Sequence, residues 1–255
     1  MSEHETIHVH AEGTTAWVTL DRPPLNILDI SMMRELGRAL RALLPRCDFL
    51  VFQGAGPKGF SAGAEVRDHT PDRVREMLGS FHDIFRQLAR SDCISVAAVH
   101  GHCLGGGMEL ATFCDFVVAT ESARFGQPEI KLGCFPPVAM VTLPRLVGQR
   151  AALDLILTGR IIWAPEAHRL SLVTRVVADD ALAQATDALL GELRALSPAV
   201  LRMSRQTLRQ RDAQEFERSL EEVERVYLNK LMKTEDAQEG IRAFLEKRAP
   251  AWKGR

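Results

Sequence analysis

Ile94-Ser-Val-Ala-Ala-Val-His-Gly-His-Cys-Leu-Gly-Gly-Gly-Met-Glu-Leu110 is the stretch around which the rest of the chain is organised. The run from Ile94 to Val99 is short and almost wholly apolar, the mark of a strand buried on both faces. Gly105-Gly106-Gly107 follows, and Met108 to Cys114 is compatible with a helix. A glycine turn that feeds a helix lets another backbone approach closely and leaves the first helical N–H groups unpaired. Such a turn suits an anion, or a carbonyl oxygen that gains negative charge during a reaction. Glu109 falls in the first helical turn, where free N–H groups favour an acid even without chemistry. Glu129, in Phe125-Gly-Gln-Pro-Glu-Ile130, follows a proline in a loop, a place that a solvated surface acid would also occupy. A helix, a strand and a return loop fit between the two glutamates, so the pair can converge in space and form a two-carboxylate site beside the glycine turn.

Working outward, residues 15–20 and Phe49 to Gln53 read as strands, with an amphipathic helix between them that Asp29 caps and Pro45 stops. Thr70-Pro71 is expected to open a second helix that places Val74, Leu78, Phe81, Phe85 and Leu88 on one face, and Phe116 to Ala119 reads as a further strand. Strands alternating with helices predict an α/β fold. Beyond about residue 195 the strand signals stop. Ser197-Pro198 is expected to start a helical region running through Gln210, from Glu215 to Leu231, and from Glu235 to Lys247. The division is therefore a core over 1–195 and a helical region over 196–255, where Val223, Val226, Tyr227 and Leu231 read as packing positions.

With 255 residues, 46% of them hydrophobic, the chain can bury a substantial core. A net charge of −1 argues against a general affinity for nucleic acid, and none of the nucleic-acid motifs is present. The polar start, Met1 to Gly13, lacks a signal-peptide core, and no apolar run suggests a membrane span, so a cytoplasmic location is expected. Cys47, Cys93, Cys103, Cys114 and Cys134 include no CxxC pair and read as reduced thiols rather than a disulfide framework or a zinc knot.

Several patterns point elsewhere. Gly54-Ala-Gly56-Pro-Lys-Gly59 fits a dinucleotide-binding turn, but Gly59 and Gly63 interrupt the helix that turn requires. Gly59-Phe-Ser61-Ala-Gly63 fits a nucleophile elbow and would make Ser61 a serine-hydrolase nucleophile, although Ser61 follows its strand by a loop rather than capping it. His8-Val-His10 and His100-Gly-His102 have pairwise ligand spacing but no third donor, and no metal is expected.

Asp21-Arg-Pro-Pro, Phe60-Ser-Ala-Gly-Ala-Glu-Val66, Ala98 to Leu110, Cys114-Asp115, Phe125 to Ile130 and Glu239-Gly-Ile-Arg-Ala-Phe-Leu-Glu-Lys-Arg248, taken in order, resemble the crotonase (enoyl-CoA hydratase/isomerase) superfamily over nearly the whole chain. The resemblance implies a spiral of ββα turns with a C-terminal helical region used for trimerisation, giving a homotrimer or a dimer of trimers. It places the oxyanion-hole donors on the backbone N–H groups of Ala64 and Gly106 and the hydratase carboxylates on Glu109 and Glu129. Occupancy of both acid positions implies hydration of an enoyl- or dienoyl-CoA thioester rather than isomerisation. Glu129 is then the acid that faces carbon. The alternatives are an isomerase of the same fold, or a non-catalytic scaffold that binds protein or RNA. Coenzyme A would enter as part of the substrate, with no separate cofactor. Arg22, Lys58 and Ala62 are candidate CoA contacts, and Phe244 and Lys247 are candidate contacts from a neighbouring subunit. Where many family members continue after the second glutamate with a glycine-rich turn, this chain has Gly133-Cys-Phe-Pro-Pro-Val, so Phe135, Pro136, Pro137 and Val138 are expected to reshape the acyl pocket. Arg22-Pro-Pro-Leu-Asn-Ile-Leu-Asp29, Glu65-Val-Arg-Asp-His-Thr-Pro71 and Phe81-His-Asp-Ile-Phe85 are similar to the cyclohexa-1,5-diene-1-carbonyl-CoA hydratases, with His69 and His82 as residues that could line such a pocket.

Overall fold

A computed structural model describes residues 5–255. Along the chain, β1 (Ile7–Glu12) and β2 (Thr15–Leu20) form a hairpin that leads into α1 (Ile30–Leu43). Next come β3 (Phe49–Gly54), β4 (Gly59–Ser61) and α2 (Val74–Arg90). They are followed by β5 (Ile94–Val99), β6 (His102–Leu104) and α3 (Gly106–Phe113), and then by β7 (Phe116–Thr120), β8 (Arg124–Gly126), α4 (Pro137–Val147) and α5 (Gln149–Thr158). β9 (Ile161–Trp163), α6 (Ala164–Arg169), β10 (Arg175–Val177) and α7 (Leu182–Arg194) precede the terminal helices α8 (Pro198–Asn229) and α9 (Glu235–Leu245).

The strands form two sheets, ordered β1-β2-β3-β5-β7-β10 and β4-β6-β8-β9. Each turn of the chain adds one strand to each sheet: β3 and β4, β5 and β6, β7 and β8. The successive pairs are parallel, so the chain advances as a ββα spiral. β5 is buried along its whole length. Ile94, Val96 and Ala98 face a cluster with Leu189 and Leu190 of α7, while Ala97 and Val99 face the main core. This two-sided burial explains the unbroken apolar run in the sequence.

α1 starts where its cap predicts: the Asp29 carboxylate accepts from Met32 N at 2.9 Å, and the helix ends two positions before Pro45. α2 starts later than expected, at Val74, because residues from Thr70 to Arg73 form a turn in which the Thr70 carbonyl accepts from Arg73 N and Val74 N. Its predicted apolar face, Val74, Leu78, Phe81, Phe85 and Leu88, is buried throughout. The expected interruption between Gln210 and Glu215 is absent, since α8 is one continuous helix, and Ser197 precedes it without a side-chain capping bond. Ionic contacts pin α8 to the core: Arg205 and Arg209 reach Asp115, and Glu224 accepts from Arg86. Phe216, Leu220, Tyr227, Met232 and Ile241 lie in the same apolar cluster as Phe85 and Met108, so the terminal helices complete the core of the spiral. Among the described residues no helix is long and apolar enough to cross a membrane.

Candidate active site

The glycine turn lies at the C-terminal end of the parallel strands, pressed against the loop that follows β4. Gly105, with φ +51°, is the residue before α3, and a side chain there would have its Cβ 2.6 Å from Glu129 Oε1. Only glycine permits both that backbone conformation and that approach. A Cβ on Gly63, φ +99°, would fall 3.2 Å from Gly106 N, and one on Gly106 would fall 3.4 Å from Ala64 N. The two loops therefore bring the backbones of Ala64 and Gly106 together. Their neighbours are tied down: Gly63 N donates to Ser61 Oγ, Glu65 N to the Leu28 carbonyl and Gly105 N to the Gly126 carbonyl. Among the described residues the N–H groups of Ala64 and Gly106 have no such backbone acceptor, as expected for a loop end and a first helical position.

Glu109 sits in the first turn of α3, only 2% exposed. Its Oε1 accepts from Ala139 N at 2.8 Å, and Val138 N also donates to it. Both donors are in the first turn of α4, which Pro137 opens, so one helix N-terminus presents the acid and a second grips it. Burial nevertheless raises the Glu109 pKa to about 7, against the lowering effect of the Ala139 and Val138 N–H groups.

Glu129 lies on a short 3-10 turn, Pro128–Leu132, and is half-buried. Its pKa is raised well above the ordinary carboxyl value, first by burial and then by the charge of Glu109. Gly105 joins the two acids at one site, since its carbonyl accepts from Glu109 N at 2.9 Å while its Cα faces the Glu129 carboxyl. In the orientation of the Gln127 amide that gives both its atoms partners, the NH2 donates to Glu129 Oε2 at 3.1 Å and to Oε1 at 3.2 Å. α9 braces this turn from behind, for a Cβ on Gly240 would fall 2.2 Å from the Leu132 carbonyl oxygen.

Two aromatic residues that the sequence showed only as packing positions also stand at the site. The Phe81 ring covers the glycine turn, its outer edge 2.9 Å from where a Gly106 Cβ would lie. Tyr227, 1% exposed, packs edge-on against Phe135 with ring centroids 5.1 Å apart. Its hydroxyl pKa is raised well above the ordinary value by burial, then by Cys134, Glu129 and Glu109, which sets the phenol beside the acid pair. Helical periodicity announces an inward-facing aromatic residue but not which cavity it faces.

The other predicted residues divide. Phe135 is half-buried against Tyr227, whereas Pro136, Pro137 and Val138 are buried and lead into the α4 turn that holds Glu109. Ala62 N donates to the Leu25 carbonyl, and Lys58 stands on an exposed turn. Arg22 donates to the Ile27 carbonyl and pairs with Asp29 at 3.2 Å. Phe244 and Lys247 are exposed at the end of α9. Ser61 is fully buried, and its hydroxyl donates to the Asn26 carbonyl at 2.7 Å, so it makes no nucleophile elbow. The glycines from Gly54 to Gly59 form a loop that enters β4 with no helix after it. His69 Nδ1 donates to the Glu65 carbonyl, while buried His82 bonds Glu224 through Nδ1 at 2.5 Å. His8 is engaged by Asp21, and His100 bonds the Gly56 carbonyl.

Comparison with known proteins agrees with this architecture. Residues 10–255 match the enoyl-CoA hydratase/isomerase family model. A cyclohexa-1,5-dienecarbonyl-CoA hydratase from Thauera aromatica is 38% identical, with 98% of this chain and 96% of the relative covered. A probable enoyl-CoA hydratase from Rhizobium meliloti is also 38% identical, over 99% of each chain. Among solved structures, an enoyl-CoA hydratase from Mycobacterium avium subsp. paratuberculosis superposes with a TM-score of 0.88 at 25% identity, covering 98% of this chain and 99% of its own. The chain belongs to the enoyl-CoA hydratase/isomerase family, the crotonase superfamily, and has its fold.

Proposed function

We propose that the protein is an acyl-CoA hydratase that adds water to an enoyl- or dienoyl-CoA thioester. The observation that carries this reading is that buried Glu109 and half-buried Glu129 flank one glycine turn beside two backbone N–H groups without a backbone acceptor among the described residues. The Ala64 and Gly106 N–H groups would hold the thioester carbonyl oxygen and stabilise the negative charge that develops when C2 becomes enolate-like. A water lies between Glu109 and Glu129, so its attack on C3 is positioned rather than bimolecular.

The two acids divide the proton work. Glu109, supplied with two backbone N–H donors, gives up its proton more readily and is the base for water. Glu129, whose proton is held more tightly through burial and then through the Glu109 charge, delivers that proton to C2. Coenzyme A is part of the substrate. Arg22, Lys58 and Ala62 are the proposed contacts for its nucleotide end within one subunit. Phe244, exposed on α9, and Lys247, just beyond it, are the proposed contacts from a neighbouring subunit in a trimer. The similarity to the cyclic-dienoyl hydratase and the aromatic wall of Phe81, Phe135 and Tyr227 favour a flat, ring-shaped acyl group.

The test is a spectrophotometric assay of purified protein with crotonyl-CoA and with cyclohexa-1,5-diene-1-carbonyl-CoA. Faster loss of conjugation with the cyclic substrate is expected. Turnover of crotonyl-CoA alone would overturn the cyclic reading, and no hydration of any enoyl thioester would overturn the function itself.

A further inference from the structure

On the side of the molecule where β3 and β5 begin, Cys47 precedes β3 and Cys93 precedes β5, and their Sγ atoms lie 3.1 Å apart. The strands are paired in parallel with Phe49 opposite Ile94, and Ile94 N donates to the Asp48 carbonyl, so the sheet brings together the two segments that carry the thiols, with Cys47 one position out of register with Cys93. We propose that Cys47 and Cys93 form a peroxide-reactive dithiol, with Cys47 the attacking sulfur and Cys93 the resolving one, which closes to an intramolecular disulfide.

Accessibility assigns the roles. Both thiols border a surface cleft of about 720 Å³ whose charged lining is Arg41, Arg46, Arg90, Arg202, Asp48 and Asp92; Cys47 is half-buried there, whereas Cys93 is only 3% exposed. The thiol–thiol contact is the main influence on both groups: it lowers the Cys47 pKa below the ordinary thiol value and raises that of Cys93, the same order that their exposure gives. Neither residue lies within a strand, and the sulfurs need to move only about 1 Å to reach the S–S bond length of ~2.05 Å. The remaining thiols are buried without such a partner: Cys103 donates to the Gly107 carbonyl, Cys114 donates to the Leu110 carbonyl, and burial raises the Cys134 pKa to about 11.

The chemistry balances with hydrogen peroxide as oxidant. The Cys47 thiolate attacks one peroxide oxygen; the O–O bond breaks, an S–O bond forms, and the departing hydroxide takes up a proton to give water. Cys93 Sγ, losing its proton, then attacks Cys47 Sγ. The S–O bond breaks, the S–S bond forms, and the second oxygen leaves as water. Two thiols are oxidised by two electrons and one peroxide is reduced to two waters.

The experiment treats the full-length protein with stoichiometric hydrogen peroxide and reads free thiols and intact mass. The expected result is loss of two of the five thiols, a mass lower by two hydrogens, a Cys47–Cys93 linkage by peptide mapping, and full recovery with dithiothreitol. Cys93→Ser should leave a sulfenic acid on Cys47 that dimedone traps, and Cys47→Ser should leave Cys93 unmodified. An unchanged wild-type thiol count, a linkage through Cys103, Cys114 or Cys134, or equal reactivity of Cys93 in the Cys47→Ser protein would overturn the assignment. The wild-type measurement alone suffices if either variant fails to fold.

Discussion

The surroundings of Glu109 and Glu129 differ more than the chemistry proposed for them suggests. Glu109 is set in a regular helix and gripped by the N-terminus of another, with two backbone N–H groups directed at its carboxylate. Glu129 stands on a short turn, is only half-buried, and is held by the Gln127 amide and by the closeness of Gly105. Backbone donors favour the ionised form, whereas a neighbouring charge disfavours it. The pair thus acquires unequal proton affinities from unequal supports, as a base and an acid working at one pH require.

The largest expected effect is loss of either acid. Glu109→Gln and Glu129→Gln should each lower kcat by at least ~100-fold with little change in KM. A selective rise in KM would show that the residue binds substrate without handling protons. Next is Gly105→Ala, which forces a Cβ into a left-handed conformation and against Glu129. A tenfold or greater fall in kcat is expected, on the order of the 1–2 kcal/mol that such a conformation costs.

The pH profile tests the inequality itself. Activity that needs ionised Glu109 should rise with pH through about 7 and fall once Glu129, whose pKa burial and the Glu109 charge raise, loses its proton. In Glu109→Gln the charge that raises Glu129 is gone, so the alkaline limb of the residual activity should move to lower pH. Stability carries the opposite sign to the usual carboxylate case. Both acids bind their proton more tightly folded than unfolded, so their contribution is fully present below the unfolded pKa of about 4.3 and, for Glu109, is lost as pH rises through about 7. Denaturant titrations of the wild type and Glu109→Gln across that range would measure it. The smallest effect is expected from Tyr227→Phe, which keeps the ring contact with Phe135. Its kcat/KM should fall roughly fivefold or less, the equivalent of about one hydrogen bond.

Much of this site was legible in the chain. Gly105 to Glu109 and Phe125 to Glu129 are local patterns in which glycine conformation, helix start and acid placement are written in neighbouring residues, and the structure brings them together. Patterns whose meaning depends on distant partners were not. The Pro136-Pro137 turn reads as a stiff pocket wall, yet it also opens the helix that binds Glu109. Tyr227 reads as one of several packing residues on a long helix, and only the return of α8 across the core sets it beside the acids. The short strands β4, β6, β8 and β9 lack the length for a periodic signal, although they build the second sheet of the spiral.

By itself, the sequence determined the alternating elements and the glycine turn and singled out the two candidate acids, because backbone freedom, apolar period and family motifs are local properties. Only the tertiary structure decided that the acids are unequal, since burial, repulsion and donated N–H groups arise from residues far apart in the chain.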